Sequence, residues 1–71
     1  MKLSELVIGQ IAKIQGFTDL DVSVKLLEMG CVPGEWVKLV KIAPFGDPIS
    51  ISVSGYELSL RKKEAATVLV I

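Results

Sequence analysis

The stretch from Ile49 to Leu60 constrains the fold most. Ile49, Ile51 and Val53 alternate with Ser50 and Ser52, and Tyr56, Leu58 and Leu60 alternate with Glu57 and Ser59. A period of two sends the apolar side chains of each run to one face of a pleated strand. Ser54-Gly55 separates the runs, and a two-residue link containing glycine predicts a tight hairpin. An isolated hairpin is marginal in water, so its apolar face needs further strands or a helix to cover it.

Glycine and proline punctuate the rest of the chain into pieces that can serve as that cover. The β-branched residues from Val7 to Gln15, with Gly9 inside, read as a first strand. Thr18 with Asp21 fits a rough capping box for a short helix over Asp19 to Met29, with Gly30 as its C′ residue and Pro33 as a stop. Within it, Asp21 and Lys25 stand at i,i+4 in the favourable acid-first order. Pro33-Gly34 is a turn, Glu35 to Ala43 a long strand, and Ala43 to Pro48 the loop before the hairpin. Arg61 to Ala66 breaks the alternation and reads as one helical turn, and Thr67 to Ile71 as a final strand. About five short strands with one helix, and no repeat, predict a mostly β fold over residues 1–71. The economical form is a small SH3-like barrel, which leaves few strand edges open.

A chain of 71 residues makes one domain and needs an apolar-dense core, because folding hides only about 60% of so small a chain's surface. Its 51% hydrophobic content and mean hydropathy of +0.57 supply that core. Eight basic and eight acidic residues cancel. Nucleic-acid binding normally draws on a basic excess, so that role is not expected. The low net charge leaves little repulsion between copies and permits a homo-oligomer. The single cysteine, Cys31, cannot form an intramolecular disulfide, and a reducing cytoplasm is the expected compartment. The first residues lack the apolar core of a signal peptide, and no apolar run approaches the ~20 residues of a membrane-spanning helix.

The parts of an enzyme are missing. Histidine is absent, so neither a Ser-His-Asp nor a Cys-His arrangement can be built, and there is no GxxxxGK[ST] phosphate loop. No CxxC or HxxxH spacing offers a closed metal site. Asp19, Asp21 and Glu28 could form a weak oxygen-rich site, but acids near a helix start ordinarily cap it. No catalytic residue, cofactor or metal ligand is therefore assigned, and the chain is expected to act by binding.

The candidate contact residues are apolar. At about 100° per residue, Leu20, Val24 and Leu27 form one helix stripe, while Val22, Leu26 and Met29 form another. A helix lying on a barrel buries one stripe, which leaves the other for loops or for a partner. Met29 leads straight into the capped turn, so its stripe is expected inside and Leu20, Val24 and Leu27 outside. Cys31 reads either as a small core hydrophobe or as a partner contact. Trp36 shares strand parity with Lys38, which predicts partial exposure and a possible binding anchor. Phe45, at the tip of the Ala43–Pro48 loop, either meets a partner or folds back over the barrel mouth. Arg61-Lys62-Lys63 reads as a solvated turn, with contact to an acidic partner or lipid surface as the rival reading.

Three segments in order carry a family resemblance: Lys25-Leu26-Leu27-Glu28-Met29-Gly30 followed by Pro33-Gly34; Ala43-Pro44-Phe45-Gly46-Asp47-Pro48-Ile49; and Gly55-Tyr56-Glu57-Leu58-Ser59-Leu60-Arg61-Lys62-Lys63-Glu64-Ala65. Together they resemble FeoA, the small cytosolic accessory protein of ferrous-iron uptake, over essentially the whole chain. Cys31 replaces the usual aliphatic residue after the glycine, and Lys25 a common arginine. The resemblance implies an SH3-like barrel with an inserted helix. It also implies a partner, the FeoB membrane transporter with its cytosolic G-protein domain, met at the inner face of the membrane without membrane insertion. Related domains end iron-dependent repressors, which keeps open the alternative of a metal-responsive regulatory domain with weak binding of Fe2+ or another transition-metal ion. No ligand set carries over with the resemblance.

Overall fold

A computed structural model describes residues 1–71. The central hairpin joins Ile49–Val53 (β3) to Tyr56–Leu60 (β4), in register from Ile49 opposite Leu60 to Val53 opposite Tyr56. Ile49, Ile51 and Val53 are buried, whereas Ser50 and Ser52 are half-buried. The link places Ser54 at φ 51° and Gly55 at φ 81°. Two consecutive positive φ values match the right-handed twist of the flanking strands. Glycine adopts that geometry freely, and serine does so at a cost.

Strand β2 (Trp36–Ile42) pairs with β3 on one side and with β1 (Ile11–Phe17) on the other, both antiparallel. β1 also pairs with the short β5 (Val68–Val70), so the sheet order is β4-β3-β2-β1-β5. Register shifts interrupt β2 between Leu39 and Lys41 and β1 between Ile14 and Gly16. An irregularity of this kind bends a strand and raises its twist, which lets five short strands curl around one core. A 3-10 turn at Leu3–Glu5 packs on β5 and on α2 (Lys62–Ala65), and Lys2 bridges to Leu69. The enclosed core holds 15 apolar side chains, among them Leu3, Ile14, Leu26, Val37, Leu39, Ile51, Leu60 and Val70.

Two local expectations require correction. The first strand begins at Ile11, not Val7, because Gly9 takes φ 90° and its N–H leaves the strand direction to donate to the Leu39 carbonyl. Residues 7–10 form a turn instead, with Gln10 N–H donating to the Val7 carbonyl and Val7 N–H to Gln10 Oε1. The helix α1 (Leu20–Glu28) is capped by Asp19, whose Oδ1 accepts from Val22 N–H at 3.1 Å, and not by Thr18. The Thr18 hydroxyl points elsewhere, donating to the Thr67 carbonyl.

Candidate functional site

The end of α1 explains how the helix is set on the barrel. Gly30, at φ 100°, donates to the Leu27 carbonyl, and Cys31 N–H donates to the Leu26 carbonyl. These two bonds make a Schellman ending, whose usual companion is an apolar contact between the residue two beyond the cap and the third from the helix end. Here those residues are Cys31 and Leu26, both fully buried in the core. The expectation that Cys31 contacts a partner is therefore corrected: its thiol is enclosed, and burial pushes its pKa up, away from the reactive thiolate. The small-hydrophobe reading describes it.

With Leu26 pinned inward, the rest of the helix follows. Val22 and Met29 pack against the core, and Ser23 is buried too, its hydroxyl donating to the Leu20 carbonyl at 2.7 Å. Ser23 lies between Leu26 and the outer stripe on the helical wheel, and its small size and internal hydrogen bond let that arc approach the barrel. The opposite side carries Leu20 at 85% exposure, Val24 at 57% and Leu27 at 42%. Three aliphatic side chains thus share one open stripe, beside the exposed Asp21, Lys25 and Glu28. At its N-terminal end a shallow depression of about 200 Å³ is lined by Phe17, Thr18, Asp19, Leu20 and Ser23.

One ion pair ties the helix to α2, 39 residues on in the sequence. Lys25 Nζ lies 2.6 Å from Glu64 Oε2, and Glu64 Oε1 accepts from Arg61 N–H. The hydrogen bond from Lys25, reinforced by Arg61 N–H, holds the Glu64 carboxyl below the usual range. Asp19 is engaged as the helix cap, and no three His, Cys, Asp or Glu side chains converge.

The remaining candidates stand on other elements. Trp36 is exposed on the outer sheet face, where Lys13 Nζ lies 5.8 Å from its ring centroid. Lys13 and Trp36 are cross-strand partners, and Ile71 bonds reciprocally with Lys13 through the backbone. Exposed Ile11 and Ile71 lie near Trp36 on this part of the sheet, interspersed with Lys13 and Lys38, and the reading of the sequence did not single them out. The signal was present for Ile11, which shares strand parity with Lys13 and Gln15. Phe45 does not fold back over the barrel mouth; it is 98% exposed. Trp36 begins β2 and Phe45 lies in the loop beyond its other end, so the two are not neighbours along the strand.

The curled antiparallel sheet and the inserted helix define the class: a small SH3-type barrel. The chain belongs to the FeoA domain family, whose model matches residues 1–71. It is 39% identical over 71 residues to a fusion of Fe(2+) transport protein A with the Fe(2+) transporter FeoB in Porphyromonas gingivalis, covering 99% of this chain but only 8% of the fusion. Among solved structures, the FeoA-like protein of Clostridium acetobutylicum is 39% identical with a TM-score of 0.93, covering 100% of this chain and 84% of that one. FeoA of Stenotrophomonas maltophilia, complexed with zinc, is 34% identical with a TM-score of 0.88, covering 100% and 89%. That protein is described as a prokaryotic SH3 domain protein, with a suggested role as a ferrous iron transport activating factor. The family is thereby linked to ferrous-iron transport, and a relative carries this domain joined to FeoB.

Proposed function

We propose that this domain is a non-enzymatic accessory of ferrous-iron uptake that docks on the cytosolic part of a FeoB transporter and modulates it. The observation that carries the proposal is the outward stripe of Leu20, Val24 and Leu27 on a helix whose other face packs on the core through Leu26, Val22 and Met29. Removing such a stripe from water favours association, and the charged rim of Asp21, Lys25 and Glu28 gives it direction. The Porphyromonas fusion supports the choice of partner, since joining two modules in one chain raises their effective concentration for each other. Titration calorimetry of the domain against the cytosolic part of FeoB tests the reading. Saturable binding is expected; no binding up to about 1 mM, the weak end of useful affinity, counts against it.

A second reading is direct binding of a divalent transition metal, favoured by the zinc complex of the Stenotrophomonas relative. Anaerobic Fe2+ calorimetry separates the two: heat and a thermal shift with metal alone support the second, and their absence removes it.

A further inference from the structure

The end of the barrel beyond Ile42 carries a surface that the helix stripe does not explain. Phe45 stands at the tip of the β2–β3 loop, which a hydrogen bond from Gly46 N–H to the Ala43 carbonyl closes into a turn. Two residues on, Asp47 Oδ1 accepts from Lys62 N–H at 2.9 Å, fastening the loop to the start of α2. The register adds to this, since Ile42 pairs with Ile49 and Ile49 with Leu60, so Arg61 follows directly beside the base of the loop. Lys41 sits opposite Ser50, which is opposite Ser59, at the same end.

An exposed aromatic thus has a collar of exposed cations, Lys41, Arg61, Lys62 and Lys63. The nearby carboxylates are occupied: Asp47 by Lys62 N–H, and Glu64 by Lys25 and Arg61 N–H. None of the four cations makes an ion pair; the one salt bridge in the structure joins Lys25 and Glu64. The chain is neutral overall. At the loop end the four cations Lys41, Arg61, Lys62 and Lys63 outnumber the two carboxylates, Asp47 and Glu64, so this end carries a net positive charge.

We propose that this end of the domain rests on an anionic lipid surface, with Phe45 entering the interfacial layer and Lys41, Arg61, Lys62 and Lys63 on the headgroups. It is a peripheral contact, with no segment crossing the bilayer. Charge complementarity selects the occupant. A protein interface presents a broad apolar centre with a polar rim. Here a single projecting aromatic stands at an end of the barrel where cations outnumber carboxylates, which suits a continuous polyanionic surface. The proposal does not depend on the helix stripe, which lies on a different element.

Co-sedimentation with vesicles tests it, comparing phosphatidylcholine alone with phosphatidylglycerol and phosphatidylcholine in equal parts, at low ionic strength. Binding is expected to the mixed vesicles only and to be lost in high salt. Each cation near the surface is worth about fivefold, so Lys62→Gln with Lys63→Gln should weaken partitioning by about 25-fold. Phe45→Ser should weaken it too, with an unchanged circular dichroism spectrum and melting curve, and Phe45→Leu should restore part of the loss. Equal partitioning onto both vesicles, no partitioning, or wild-type behaviour of Phe45→Ser overturns the proposal. So does salt-sensitive binding of the same cations to FeoB's cytosolic part while the vesicles are ignored, which would make this a protein-docking surface.

Discussion

Replacing Leu26 with alanine and, separately, Leu20 with serine tests the orientation of the helix from both sides. Leu26 is completely buried, and truncating such a leucine costs about 2–5 kcal/mol through lost transfer energy and the cavity left behind. A 71-residue domain unfolds with an entropy of roughly 150 cal/mol/K, so a loss of about 3 kcal/mol lowers Tm by about 20 °C. Leu20 is 85% exposed, so only a small part of its side chain leaves water on folding. Of the about 2 kcal/mol that full burial of a leucine is worth, the fold draws about 0.3 kcal/mol here. On the same scale Val24 contributes about 0.8 kcal/mol and Leu27 about 1.2 kcal/mol. A domain of this size has about 4–10 kcal/mol of stability, so every outer variant stays folded while Leu26→Ala approaches the limit. Thermal and urea unfolding followed by circular dichroism measure the contrast. A Leu20→Ser variant as destabilised as Leu26→Ala would show that the outer stripe is packed and would refute the reasoning.

Other outcomes follow from the same geometry. Because the folded pKa of Glu64 is depressed, first by the Lys25 hydrogen bond, its stabilising effect is present above the unfolded value of about 4.3 and is lost as pH falls through the folded value. The stability gap between wild type and Glu64→Gln, read from urea curves, should therefore be largest near neutrality and close in acid; a gap constant down to strong acid contradicts this. Cys31, buried and with a raised pKa, should resist thiol-labelling reagents until the domain unfolds, so labelling in native buffer at the rate of a free thiol would place it outside the core. Gly55→Val should cost about 1–2 kcal/mol, because φ of 81° disfavours any side chain although open space surrounds the position. An unchanged urea midpoint would argue against the two-residue turn.

The hairpin was legible because Ile49–Leu60 carries both a clean period of two and a glycine at the turn. The helix orientation was legible because Met29 and Gly30 mark its end and Leu26 follows from the spacing. The beginning of β1 was not: Val7 and Ile8 favour a strand as strongly as Ile11 does, and only the positive φ of Gly9 decides between strand and turn. Thr18 and Asp19 are both good caps, and the one-residue choice rests on Thr18 being drawn to Thr67 across the fold. Closure by Lys2 and Leu69, and the cation–π contact of Lys13 with Trp36, join residues distant in sequence and leave no local pattern. Of the candidate contacts, Leu20, Val24, Leu27, Trp36 and Phe45 are exposed as expected, whereas Cys31 belongs to the helix ending.

The proposed docking surface is the surplus apolar stripe on α1. Titrating FeoB's cytosolic part with wild type and with a Leu20→Ser, Val24→Ser double variant tests it most directly, with the melting curve of each checked beforehand. The stripe predicts saturable binding by wild type and at least a tenfold weaker dissociation constant for the folded double variant, about 1.4 kcal/mol of lost contact. Equal affinities for the two folded proteins would contradict it.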